Sequence, residues 1–179
     1  MKQVHCKIFT VNRSFPTIIT LKERTSEFFR RHWPETTRFQ QTCQPPDWIG
    51  GWKWQGSVPY HDKSGVYALI SRTGEVIYVG LGASRGSGQY LQHGLSRRIT
   101  AHVIMQDKRR GRGFYLPRPK WVEVDSIATI GMPDHLSYLS PALEDFLISE
   151  IRPEKNIAKC PRTARLAPSN SSSQDQSPS

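Results

Sequence analysis

The sequence is short of acidic residues and of long apolar runs. It has 15 acidic residues against 25 lysines and arginines in 179 residues, so its formal net charge is +10. Such an excess of positive charge favours a polyanionic partner, and nucleic acid before an anionic membrane. No stretch approaches the roughly 18 apolar residues of a spanning helix, and the first five residues lead into no apolar signal core. We therefore expect a cytoplasmic protein that does not enter a membrane.

Cysteine is also scarce. The three cysteines lie far apart and include no C-x-x-C pair: Cys6, Cys43 and Cys160. An odd, scattered set argues against a disulfide framework and against a short-loop zinc site. We expect reduced and mostly buried thiols.

Two familiar phosphate-binding loops are missing from the glycine-rich stretch 80–88. A dinucleotide-binding fingerprint starting at Gly80 would need glycine where Arg85 stands. No Lys-Ser or Lys-Thr pair follows a glycine in this stretch, as a nucleotide-binding P-loop requires. The sequence therefore excludes both kinds of site.

Composition divides the chain into three regions. Residues 1–63 form an accessory region with a predicted strand at 4–11, a helix at 20–32 and then a Pro-, Gly- and Trp-rich loop. We expect the tryptophans of that loop to pack against the core rather than to stack on bases. Residues 64–160 carry clear periodic patterns, whereas the Ser-rich tail 161–179 has little apolar area to bury and is predicted to be disordered.

The clearest structural signal is a β-hairpin. Residues 65–70 and 75–79 are rich in β-branched and aromatic side chains and flank Ser-Arg-Thr-Gly, a turn sequence. A loop of even length puts Tyr67 and Leu69 on one face with Val76 and Tyr78, and a three-residue loop would break that pattern. The opposite, aliphatic face is expected to pack on a helix: Val66, Ala68, Ile70, Ile77 and Val79.

The remaining patterns predict a helix, a strand and a helix. The first helix covers about 95–107, a basic segment follows at 108–120, and residues 121–130 alternate as a third strand. The last helix runs from Ser140, its predicted N-cap, to Ile151.

Two helical positions carry candidate chemistry. Arg98 and His102 are four residues apart and share a helix face, which fits a phosphate site or, more commonly, a solvated helix edge. Glu144 lies on an apolar stripe with Leu147 and Ile148, where an unpaired charge would be costly. It therefore needs an ion-pair partner or a divalent metal, and Mg²⁺ accepts one carboxylate together with phosphate and water oxygens.

Taken together, the motifs resemble the GIY-YIG nuclease superfamily over residues 64–158. Gly-Val-Tyr at 65–67 and Tyr-Val-Gly at 78–80 are similar to its paired tripeptides, with valine in place of isoleucine. The sequence 95–102 is similar to its arginine–histidine helix, and 142–156 to its metal-binding helix and the asparagine that follows. The resemblance implies an α+β fold, a small three-stranded antiparallel sheet flanked by helices, with an N-terminal accessory region.

The resemblance also implies an activity, the hydrolysis of phosphodiester bonds in double-stranded DNA. Glu144 would hold one divalent cation, Mg²⁺ or alternatively Mn²⁺, while Tyr67 and Tyr78 face the scissile phosphate. Arg98 would neutralise charge on the phosphoryl oxygens, His102 would position groups or relay protons, and Asn156 would buttress the site.

We expect DNA to contact the accessory region 1–63 and a set of basic residues: Arg97, Lys108, Arg109, Arg110, Arg112, Arg118 and Lys120. The long glycine-rich stretch and the accessory region resemble the elaborations of site-specific restriction enzymes, which is the leading subtype. The alternatives are a phage or mobile-element nuclease, a structure-specific repair nuclease, and a nucleic-acid-binding module without turnover. One site per chain favours a homodimer for double-strand cleavage, although sequential nicking by a monomer serves as well.

Overall fold

The computed structural model describes residues 15–34, 44–82 and 94–156. These residues form an α+β structure, as predicted. The helices are α1 (Ile18–His32), α2 (Gly94–His102) and α3 (Leu139–Ile151). The strands are β1 (Ile49–Trp52), β2 (Gly65–Ser71), β3 (Val76–Gly82), β4 (Ile104–Gln106), β5 (Tyr115–Pro117) and β6 (Val124–Gly131).

The main sheet is antiparallel and has four strands in the order β1-β6-β2-β3, whereas the sequence predicted three. The additional strand is β1, in the segment that was predicted to be a loop. It pairs with β6 through Ile49 opposite Thr129 and Trp52 opposite Ile127, with an irregular register between them. Three of its four residues are exposed and two are glycines, so no alternating pattern marked it as a strand.

The predicted hairpin is present as β2 and β3, with one error in its facing residues. Leu69 pairs with Tyr78, but the next pair is Ile70 with Val76, so Ile77 is an extra residue in a bulge. The face shared by Tyr67, Leu69 and Tyr78 is confirmed. Val76 and Ile77 exchange their predicted faces because a bulge shifts the alternation by one residue.

An apolar cluster covers each face of the sheet. On one face, α1 and α3 bury their apolar sides against β-sheet residues such as Val66 and Val79. On the other face, α2 covers Tyr67 and Leu69. The two tyrosines therefore belong to the layer of α2, not to that of α3.

The second predicted helix is too long. It ends at His102, and residues 104–106 form β4, which pairs with β5 as a separate two-stranded ribbon. Val103 and Ile104 are β-branched and favour an extended chain. The predicted N-cap of the last helix is also wrong, because α3 begins at Leu139 and the Ser140 hydroxyl lies 3.1 Å from the Ser64 hydroxyl instead.

The described part of region 1–63 is built into the same core. The predicted helix at 20–32 is confirmed as α1, which begins two residues earlier than predicted, after its N-cap Thr17. Trp48 and Trp52 are buried, as predicted for the tryptophans of the following segment. The boundary at residue 63 stays a prediction. The predicted strand 4–11, the tail from 161, the three cysteines and residues 83–93 lie outside the described residues. Among the helices that are described, none has the length and apolar character needed to cross a membrane.

Candidate active site

Four predicted site residues meet on the face of the sheet that α2 covers. Tyr67 is fully buried in β2, and its hydroxyl oxygen lies 3.5 Å from Nδ1 of His102 at the end of α2. The Tyr78 ring on β3 is 6.0 Å from both the Tyr67 ring and the His102 ring, measured between centroids. Arg98, one turn before His102, is close enough to the Tyr67 hydroxyl to act on it by charge and hydrogen bonding.

The environment keeps Tyr67 protonated. Burial raises the pKa of its hydroxyl far above the ordinary value of about 10, and neighbouring Tyr78 raises it further. Arg98 opposes both effects, since a nearby positive charge stabilises the phenolate. Tyr67 is therefore a neutral phenol at physiological pH. Its oxygen can accept a proton only if the phenol transfers its own proton to another group.

The environment keeps His102 neutral. Burial lowers the pKa of the imidazole, and the charges of Arg98, Lys120 and Arg118 lower it further. When its proton is on Nε2, the ring can accept a hydrogen bond at Nδ1, the atom that faces the Tyr67 hydroxyl. The hydroxyl of neutral Tyr67 can thus donate a hydrogen bond to Nδ1 of neutral His102.

Trp121 completes this face and was not predicted. Its buried ring lies 5.1 Å from the Tyr78 ring and 5.6 Å from the His102 ring, between centroids. Its Nε1–H donates a hydrogen bond of 2.9 Å to the carbonyl oxygen of His102. The sequence placed it at the start of a strand, but it closes a short 3-10 turn that fixes the end of α2.

Asn156 lies at the outer edge of β3 and is buried. Its side-chain oxygen accepts a 2.9 Å hydrogen bond from the Val79 N–H, and its amide donates one of 2.8 Å to the Val79 carbonyl. The side chain therefore pairs with the backbone of Val79 at the edge of β3, as a residue of a neighbouring strand would. This geometry fits the buttressing role, because both polar atoms are engaged with the backbone.

Glu144 lies on the buried side of α3, in the layer that covers the opposite face of the sheet from the tyrosines. Its side chain is 5% exposed, and Ser140, one turn earlier, contacts Ser64 just before β2. Within the described residues no group of three or more His, Cys, Asp or Glu side chains is arranged to hold a metal. One buried carboxylate still fits Mg²⁺, which takes its other ligands from phosphate and water.

The predicted DNA-contacting residues fall into two groups. Four exposed cations lie on the loop that joins β4 to β5: Lys108, Arg109, Arg110 and Arg112. Arg118 and Lys120 lie near His102, whose pKa their charges lower, and Arg97 is exposed on α2. Arg118 is partly committed to the fold, because its Nη2 donates to the Thr100 carbonyl at 3.1 Å, whereas the Lys120 ammonium lies over the Trp121 ring.

Comparison with protein-family models, with curated proteins and with solved structures finds no significant match to this chain. The resemblance to the GIY-YIG superfamily therefore stays a prediction from the sequence motifs.

Proposed function

We propose that this chain is a metal-dependent DNA endonuclease of the GIY-YIG type. The observation that carries the proposal is the meeting of Tyr67, Tyr78, Arg98 and His102 on one face of the sheet. These residues come from three separate elements, β2, β3 and α2, and all four belong to the motifs that resemble the superfamily. Packing of an ordinary core does not require a phenol, an imidazole and a guanidinium to converge at one point.

The proton path in this proposal uses two side chains. The attacking water gives a proton to the Tyr67 oxygen, while the Tyr67 proton moves to Nδ1 of neutral His102. The 3.5 Å separation is long for a hydrogen bond, and such contacts commonly tighten when substrate binds. The relay leaves Tyr67 neutral throughout, which its strongly raised pKa demands.

Charge on the phosphate is handled by different residues. The Arg98 fork binds non-bridging oxygens and remains charged at every relevant pH. Glu144 would hold the divalent cation, and it would have to reach the phosphate from the layer of α3, on the other face of the sheet from Tyr67. When bound, the cation would supply electrostatic stabilisation of the departing oxygen. Water forms the new bond to phosphorus as the bond to that oxygen breaks in line.

Site-specific, restriction-type cleavage is the subtype that we propose. Its support is the β4–β5 ribbon, which follows α2 directly and ends in four cations. A repair nuclease that recognises only flaps or branches would not need a basic ribbon of this kind beside its active site.

Plasmid cleavage tests the proposal. Supercoiled plasmid incubated with the protein and Mg²⁺ should be nicked and linearised, and EDTA should stop the reaction. The Glu144→Gln variant, purified in the same way, controls for contaminating nucleases. Discrete bands support the restriction subtype, whereas preferential cutting of flaps or branches supports a repair enzyme instead.

A nucleic-acid-binding module without turnover is the second candidate. The observation in its favour is the position of Glu144 on α3, which packs on the opposite face of the sheet from Tyr67 and Tyr78. Duplex binding without cleavage in either Mg²⁺ or Mn²⁺ would select this candidate and overturn the nuclease.

A further inference from the structure

The ribbon formed by β4 and β5 carries an apolar pair on its outer face. Met105 and Leu116 are direct cross-strand partners, and their side chains are 40% and 43% exposed. Ile104 and Tyr115, on the inner face, pack into the cluster below the ribbon. Among the exposed large hydrophobic side chains of the described residues, Met105 and Leu116 are the only cross-strand pair.

The ribbon is fixed at both ends. At its base, next to the candidate active site, the Arg118 N–H donates to the Val103 carbonyl at 2.8 Å. At its tip, Asp107 is buried and its Oδ1 accepts hydrogen bonds from the N–H groups of Arg109 and Arg110. Gly56 further ties the tip to the body through its N–H and the Gly113 carbonyl, 2.8 Å apart. The ribbon is thus pre-shaped rather than ordered by a partner.

The charge of the tip indicates a polyanion as the partner. Lys108, Arg109, Arg110 and Arg112 are exposed, and none of them forms an ion pair within the described residues. The single acid among them, Asp107, is turned inward onto backbone N–H groups. An apolar face beside a dense positive charge suits the edges of bases lying between two phosphate strands.

We propose that the β4–β5 ribbon enters the major groove of duplex DNA, where Met105 and Leu116 contact base edges and the tip cations contact phosphates. The major groove, about 12 Å wide, admits a two-stranded ribbon, and thymine methyl groups offer apolar contact there. At about 3.3 Å per residue, the chain from Val103 to Asp107 spans about 13 Å, enough to cross that groove. The deep, narrow major groove of RNA duplexes excludes such a ribbon.

This inference rests on the proposed binding of DNA and assigns base reading to a particular surface. Its test is selection of bound duplexes from a random-sequence pool, performed in EDTA so that cleavage plays no part. The variants are Met105→Ala with Leu116→Ala and, as a matched control, Val122→Ala with Tyr138→Ala, which removes two exposed hydrophobic side chains outside the ribbon and outside region 1–63. Both doubles change exposed side chains, so both are expected to fold.

Wild type and the control should enrich the same short run of base pairs. In the ribbon variant, the preference for the selected base over the other bases should fall about tenfold at each base pair that Met105 and Leu116 contact. The dependence of binding on salt concentration should be unchanged. Replacing thymine by uracil in the selected duplex should weaken wild type and leave the ribbon variant unaffected.

Identical enriched sequences for all three proteins would overturn the inference. So would a wild-type dimer that the ribbon variant alone dissociates, because the apolar pair would then bind a second copy of the chain. Binding of duplexes by wild type without any sequence preference would overturn the inference as well. Selective binding without Mg²⁺-dependent cleavage would overturn the proposed nuclease and leave this inference standing.

Discussion

Gly80 lies directly against the ring of Tyr67, its partner across the β2–β3 ladder. A Cβ atom on Gly80 would lie 2.6 Å from Cζ and 2.7 Å from the hydroxyl oxygen of Tyr67, and 2.7 Å from a ring carbon of Tyr78. Separations of that size are overlaps, so a side chain at position 80 must displace one of the rings. The glycine of the second tripeptide is therefore required by the packing of the tyrosine pair.

Gly80→Ala should move the Tyr67 hydroxyl away from His102 and lower the rate of plasmid cleavage by about 100-fold, the loss typical of a displacement near 1 Å. Gly50→Ala is the matched control, since a Cβ there meets only Ala128 at an ordinary 3.8 Å. Initial cleavage rates of both variants check the prediction, and an alanine at 80 that cuts at the wild-type rate would contradict it.

Tyr67→Phe removes one hydroxyl and leaves the buried ring in place. Cleavage should fall by orders of magnitude because the proton relay is broken, while the free energy of unfolding should drop by only about 1 kcal/mol, the usual net value of one hydrogen bond. Turnover and urea denaturation, measured on the same preparation, separate the two effects. Tyr138→Phe, at an exposed tyrosine, should change neither quantity.

The hairpin and the shared face of its tyrosines could be predicted because strand alternation is a local property of the sequence. Residues 65–70 alternate without interruption, and the prediction holds for Tyr67, Leu69 and Tyr78. It fails at Val76 and Ile77, where a bulge inserts one residue. The pairing register that creates a bulge depends on the partner strand, and no local pattern contains it.

Other parts of the site depend on contacts between distant residues. The proximity of Trp121 to Tyr78 follows from a turn that brings the chain back over α2, which hydrophobic period alone does not encode. The bond of Asn156 to Val79 joins residues 77 positions apart. β1 escaped prediction because its pairing with β6, and not its composition, makes it a strand.

The lowered pKa of His102 predicts how activity and stability respond to acid. Cleavage should be constant from pH 7 down past about 6.5, the ordinary histidine value, and then fall as the pH passes through the lower pKa of the folded protein. Between those two values the unfolded chain binds more protons, so stability is full above about pH 6.5 and is lost as the pH falls. Rates and urea denaturation between pH 5 and 8 check both trends.

Substitution isolates the histidine responsible. His102→Gln should abolish its share of the acid-dependent loss of stability, whereas His135→Gln, at an exposed position, should retain it. An unchanged pH profile of stability in the His102 variant would refute the assignment.

Glu144→Gln preserves the size of a buried side chain and removes its charge. We expect cleavage to be abolished and DNA binding to be kept or strengthened, because a carboxylate that repels phosphate is gone while the metal site is lost. Asp145→Asn, an exposed neighbour on α3, is the matched control. Plasmid cleavage together with duplex binding checks the prediction, and a rate within about tenfold of wild type would rule out the metal role.

The tip of the β4–β5 ribbon should account for much of the salt dependence of DNA binding. Replacing Arg109, Arg110 and Arg112 together by alanine removes three cations, and the backbone of the loop is kept because Asp107 accepts from N–H groups that alanine retains. The slope of log K against log salt concentration should flatten by about 0.9 for each phosphate that the variant no longer neutralises. Affinity for specific and non-specific duplex should fall alike, since phosphate contacts carry no sequence information.

A control variant with three substitutions on α1 tests which surface of the protein contacts the DNA phosphates. Lys22, Arg30 and Arg31 are exposed, and their replacement by alanine removes the same formal charge from another surface of the protein. If the ribbon tip tracks the phosphate backbone, the α1 variant keeps the wild-type slope, because exposed charges beyond a Debye length, about 8 Å at physiological salt, are screened. A flattened slope in the α1 variant and an unchanged one in the tip variant would move the DNA-binding surface to α1. A selective loss on the cognate site in the tip variant would mean that these arginines read bases.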